Sequence, residues 1–256
     1  MTWASGRKAA SRAQLLQLAV LLSPATAWAG PPFVTDDPVP VDYHEWEINY
    51  ALIGTLVQGG GTGALPSIDA NYGAFPGVQL HVQPQIAATW DATGRFVGVG
   101  DTQFGAKVRL IDEDKQGWVP MISIYPIYTA PTGNSSRGLG AGVGSTFLPV
   151  WADKTFGKWT VDSGFGYSID PGARGKNAWF VGGLLLYQIT DSLQLGGEAF
   201  MQTAEQRGAK NAPGFNIGGT YDVSRTYHLL FSVGQGLANQ AETNRFAFYV
   251  ALQTTF

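Results

Sequence analysis

The side chains best equipped for chemistry in this 256-residue chain are three histidines, His44, His81 and His228, and a scatter of carboxylates. His81 sits in VQLHVQPQIAATW (78–90). There Val78, Leu80, Val82, Pro84, Ile86, Ala88 and Trp90 alternate with Gln79, His81, Gln83, Gln85, Ala87 and Thr89, which is the period of a β-strand. Nucleophilic catalysis requires a hydroxyl or thiol within reach of a base. The chain has no cysteine, and no histidine lies in a nucleophile-elbow pattern, so an enzyme is not expected. Asp36 and Asp37 offer two hard oxygen ligands without a third at calcium-loop spacing. The glycine-rich RGLGAGVG (137–144) precedes no helix, so it makes no phosphate cradle. No metal or cofactor is expected. The question is one of position: His81 and its glutamines face away from the apolar side of their strand. They line either the wet outside of a soluble sheet or the inside of a barrel whose outside is greasy.

The elements that place them are legible. Basic Arg7, Lys8 and Arg12, the apolar LLQLAVLLSPATAWA, and Ala27-Trp28-Ala29 form a secretory signal peptide over 1–29. Beyond it no apolar run approaches the roughly 20 residues of a membrane helix. Without the leader's three basic residues, thirteen Lys and Arg face nineteen Asp and Glu, a net charge of −6 that excludes a nucleic-acid partner. Charged residues are 14% of the chain, against about 25% in soluble proteins. With 34 glycines this suits a transmembrane β-barrel.

Twelve strands are expected, near 45–56, 66–73, 78–90, 100–111, 118–129, 145–153, 158–169, 178–189, 192–203, 213–223, 226–234 and 243–256. Connections alternate. LVQGGGTGAL, DATGRFVGV, APTGNSSRGLGAGVG, DPGARGKN, AEQRGAKNA and QGLANQAE are long; AFPG, DEDKQG, KTFG, TDS and SR are short. That is an all-β, up-and-down antiparallel barrel with extracellular loops and periplasmic turns. The loop over 131–146 is expected to fold back as a constriction. Trp46, Trp118, Trp151 and Trp159 fall at the lower ends of strands and Trp90 and Trp179 at upper ends, as two aromatic girdles would require. The strands near 118–129, 145–153 and 178–189 are apolar on both faces and have no readable orientation.

If the greasy face is outside, the polar face lines the lumen. The candidate solute path then runs past Glu47, Asp69, His81, Gln83 and Gln85 in the first three strands. It continues past Asp101, Lys107 and Arg109 in the fourth, and past Asp162, Glu198, Asp222, His228 and Arg245 further on. Both signs of charge are present, suited to bracing ion pairs or a polar pore.

GPPFVTDDP (30–38), YHEWEINY (43–50), IDANYGAFPGVQLHV (68–82), GVGDTQFGAKVRL (98–110), IYTAPTG (127–133), LGGEAF (195–200) and FYVALQTTF at the C-terminus resemble, in that order, a family of proteobacterial outer-membrane proteins. It is named for the MetA pathway of phenol degradation and described as transporter-like. The resemblance spans the mature chain. It implies an outer-membrane barrel of a Gram-negative bacterium that passes small solutes, aromatic or otherwise hydrophobic ones among them; it carries no residue-level site. Phe248, Val250, Leu252 and Phe256 look like the terminal signal read by barrel-assembly machinery. The expected organisation is leader 1–29, a periplasmic N-terminal segment 30–44, and a barrel 45–256 in contact with outer-membrane lipid. The alternative is a closed structural or ligand-binding barrel, plugged by 30–44.

Overall fold

The structure, a computed structural model, describes residues 31–92, 94–173 and 175–256; the leader expected over 1–29 lies outside them. Every strand is antiparallel to its neighbours in one closed sheet. Twelve strands follow in chain order: β1 Trp46–Val57, β2 Gly60–Phe75, β3 Val78–Gln83 and Gln85–Asp91, β4 Gly94–Val99 and Thr102–Ile111, β5 Met121–Ile124 and Ile127–Ala130, and β6 Ser145–Phe156. Then come β7 Trp159–Ile169, β8 Ala178–Thr190, β9 Leu193–Gln202, β10 Ala212–Asp222, β11 Tyr227–Gly236 and β12 Phe246–Thr255. β1 pairs with β2 on one side and with β12 on the other, from Glu47 against Thr255 to Leu56 against Phe246. That last seam removes the sheet's free edges.

Side-chain alternation sorts the two faces. In β3, Leu80 is 50% exposed on the outside while His81 is 8% exposed on the inside. Phe104, Val161, Phe165, Val181, Phe231 and Val250 are likewise exposed on the outer face. For a soluble protein such a continuous apolar exterior would be an aggregation surface; facing hydrocarbon it is solvation. Three strands are interrupted. Pro84 cannot donate to the ladder and splits β3, as its position in the apolar face suggested. β4 breaks at Gly100–Asp101 and β5 at Tyr125–Pro126.

The loops correct two expectations and sharpen a third. LVQGGGTGAL and DATGRFVGV are not long loops. β1 and β2 continue to a tight turn at Gln58–Gly59, where Gly59 takes φ +82°, and β3 and β4 run on to 91 and 94. Glycine hides the strand signal because it has no side chain to alternate. Main-chain pairing continues regardless, with Gly61 lying under the Trp90 ring. Conversely, the turn between β4 and β5 is longer than expected and folds back on the outer face. Lys154 of β6 is buried beneath it, 3.0 Å from Glu113 and 2.6 Å from the Asp114 carbonyl oxygen. The remaining connections keep the alternation, giving one rim of short turns and one of longer loops.

Trp151 was expected in a girdle. It is instead 2% exposed and points inward, its ring lying across Gly164, where a Cβ would come within 2.0 Å of it. Trp46, Trp159 and Trp179 are exposed outward, and Trp118, 85% exposed, precedes β5 rather than lying within it. The strands that were apolar on both faces owe that pattern to apolar residues inside. Tyr125 of β5, Trp151 of β6 and Phe180 of β8 form one buried cluster, with Ile127, Phe147 and Phe200 packed against it.

Candidate functional site

The interior is not empty. Residues 31–42, part of the N-terminal segment that the sequence offers as periplasmic or as a plug, run up inside the barrel from the short-turn rim. His44 at the foot of β1 takes φ +70° and donates its N–H to Gly73. From there Val41 donates its N–H to the Gln79 side chain at 2.9 Å, and Ser123 donates to the Pro38 carbonyl. Asp36 and Asp37 lie 3.3 and 3.4 Å from the Lys107 ammonium. Val34 and Thr35 donate their N–H groups to the two oxygens of Glu198, each at 2.8 Å. Ser232 donates to the Pro32 carbonyl at 2.6 Å. Phe33 packs on Leu184 and Leu186, the inward leucines of β8. β3, β4, β5, β8, β9 and β11 thus all grip this plug. A buried backbone needs partners for its polar groups, and wall side chains supply them. Burial pushes the carboxyls of Asp36 and Asp37 up from the ordinary range, while the Lys107 ammonium pulls them back.

Beside the plug a polar ladder crosses β1 to β3. Asn49 donates to Glu47 and to Asp69, and Asn71 donates to Asp69 at 3.0 Å. Gln79 donates to Asn71 at 2.7 Å. His81 Nδ1 lies 2.9 Å from Asp69 and 3.1 Å from Asn71, and its ring meets Tyr125 edge-on. Gln83 donates to Ser67 and Gln85 to the Asp101 carbonyl. Glu47, Asp69, His81 and the glutamines are side chains that the sequence places facing inward, and the pairing register brings them together with Asn49, Asn71 and Ser67.

Others lie elsewhere. Asp101 is buried, but its carboxylate accepts N–H groups from Gly133 and Ala141 at 2.9 and 2.7 Å, so it anchors the loop 131–144. Arg109 is partly exposed at the short-turn rim, 2.9 Å from Asp112. Arg245, placed in the lumen from the sequence, lies one residue before β12 and is exposed in a loop. The strand was started too early, because the loop's polar residues mimic an inward face. Asp222 and His228 meet at the short-turn rim: His228 Nδ1 is 2.7 Å from Asp222, and Nε2 is 3.2 Å from the Thr255 hydroxyl. This has the shape of a hydroxyl–imidazole–carboxylate relay, but the Thr255 hydroxyl donates to the Arg225 carbonyl. The chain braces the last turn to the closing strand.

A cavity of about 670 Å³ remains between plug and wall. Polar Gln79, His81 and Lys107 line one side of it, and Tyr125, Phe147 and Trp151 another. Ser123, Ser232 and the aromatic cluster were missed in the sequence. The serines carry no pattern, and an inward aromatic looks like a lipid-facing one wherever the opposite face is also apolar.

The sequence matches the family described as "Putative MetA-pathway of phenol degradation" over residues 50–253. The chain belongs to this family. The match runs from β1 to β12, so the plug precedes it. A crystal structure of an outer membrane channel from Pseudomonas putida F1 is similar to this family member at TM-score 0.66 and 16% identity, over 85% of this chain and 97% of that one. The KdgM porin in complex with disordered oligogalacturonate gives 0.54 at 12% identity, over 82% and 99%. The NanC porin gives 0.53 at 10%, over 83% and 98%. No curated protein matches the sequence. These likenesses place the family member in the fold of outer-membrane barrels.

Proposed function

We propose that this chain is an outer-membrane channel that passes small solutes and is gated by its own residues 31–42. The observation that carries the reading is the plug inside a closed barrel with an apolar exterior. An insert held by side chains from six strands can leave without breaking the wall. The cavity beside it has room for a small molecule, and its aromatic side suits solutes with an apolar body. The barrel stands with the short-turn rim in the periplasm, exported by the leader 1–29 and inserted through Phe248, Val250, Leu252 and Phe256. Of these, Val250, Leu252 and Phe256 are exposed on the outer face or at its rim. Catalysis has no support from the relay-like arrangement of Asp222, His228 and Thr255, which is a brace.

The test is conductance in planar bilayers. Intact protein should show small or intermittent currents, and deletion of 31–42 should give large, steady ones. The plug also favours a second reading, a permanently closed structural barrel. A deletion variant that stays folded yet silent would establish that reading and sink the first.

A further inference from the structure

The sequence suggests a lumen of mixed sign, but the structure separates the signs. Arg109 pairs at the rim, Arg225 is exposed where the cavity opens at the short-turn rim, Arg245 lies in a loop and Lys154 is sealed under a turn on the outer face. Among the described residues, Lys107 is the one lysine or arginine buried on the inner wall. Against it stand the plug's Asp36 and Asp37 and the wall's Glu47, Asp69, Asp162 and Glu198. Asp162 is fully buried and faces Asp153, itself buried, directly across β6 and β7. A narrow, low-dielectric passage lined by one sign of charge concentrates the opposite ion and repels its own.

Resting on the channel reading above, we propose that the lumen is a cation pathway, and that the organic solutes it takes best carry one ammonium group on an aromatic or apolar body. Lys107 shows how such a group is held. Its ammonium lies between the carboxylates of Asp36 and Asp37 and 5.1 Å from the centroid of the Tyr125 ring. Ring faces attract ammonium groups, more strongly where water is excluded. Trp151 and Phe180 extend the same apolar surface beyond Tyr125. The protein's own side chain occupies a cage of two plug carboxylates and an aromatic face, and a solute's ammonium meets the same kinds of group on the cavity wall, the carboxylates of Glu47 and Asp69 beside the aromatic surface.

The experiment uses the full chain. Reversal potentials in a KCl gradient should show potassium preferred over chloride by about threefold or more. Phenethylammonium and phenylacetate share a ring and differ in the sign of charge. Phenethylammonium should reduce the potassium current and bind the detergent-solubilised protein, by calorimetry, about tenfold more tightly than phenylacetate. Glu47→Gln with Asp162→Asn should bring the potassium preference toward unity; Asp36→Asn, outside the strands, serves if that pair fails to fold. Chloride preference, no preference, or equal binding of the two probes overturns the proposal. A silent barrel overturns the channel reading alone, and calorimetry still decides the sign of the interior.

Discussion

Lys107 is the residue on which most of the interior turns. Its ammonium is enclosed with the carboxylates of Asp36 and Asp37. Removing one partner of a buried ion pair costs about 3–5 kcal/mol, because the remaining charge is stranded. Lys107→Met should therefore loosen the plug and raise mean conductance several-fold in bilayers, with the barrel still heat-modifiable on gels; unchanged conductance would mean the pair does not hold the plug. Glu198 offers an independent check. Glu198→Ala leaves the Val34 and Thr35 amides without acceptors, a loss of about 1–3 kcal/mol. Limited proteolysis should then cut residues 31–42 faster than in the parent. Lys107 was legible from its place in DTQFGAKVRL, where alternation is clean. Arg245 was not, because a polar loop abutting a strand continues the alternation by chance.

At the scale of elements, alternation gave the number of strands and most of their faces, since an antiparallel wall with lipid outside imposes period two. It failed where glycine removes the side chains to be counted, in 58–65 and 92–99, and where the interior itself is apolar, in β5, β6 and β8. The plug was legible as a stretch without a strand pattern that could fill the barrel, but its course was not. Its path depends on contacts with residues as far away as Ser232, which no local pattern encodes. A steric test needs no charge. A Cβ at Gly182 would lie 2.3 Å from the Thr35 hydroxyl. Gly182→Val should displace the plug and raise conductance about as far as deletion of 31–42 does. If it instead lowers thermal stability with no change in current, the inner wall at β8 has moved and the plug has stayed.

For the whole molecule, docking of the plug is linked to protons. Burial raises the Asp36 and Asp37 carboxyls above their ordinary value of 3.8, which an undocked segment in water would regain. The docked state therefore binds protons more tightly than the undocked one. Acid favours docking, and that advantage is lost as pH rises from 3.8 through the raised values. Conductance should climb from acid toward neutral pH, and Asp36→Asn with Asp37→Asn should flatten the profile; a current that falls with rising pH would reverse the assignment.

The threading of the plug also sets an order of events. Residues 31–42 precede the barrel in the chain, yet their acceptor on Glu198 and their donor on Ser232 lie 164 and 200 residues later. The seam that encloses them closes only when β12 meets β1. A segment that comes before every strand thus completes its contacts only after β9 and β11 have joined the wall. Closing the wall and filling it are therefore coupled through residues at opposite ends of the chain: β12 must meet β1 before the interior that holds the plug is complete.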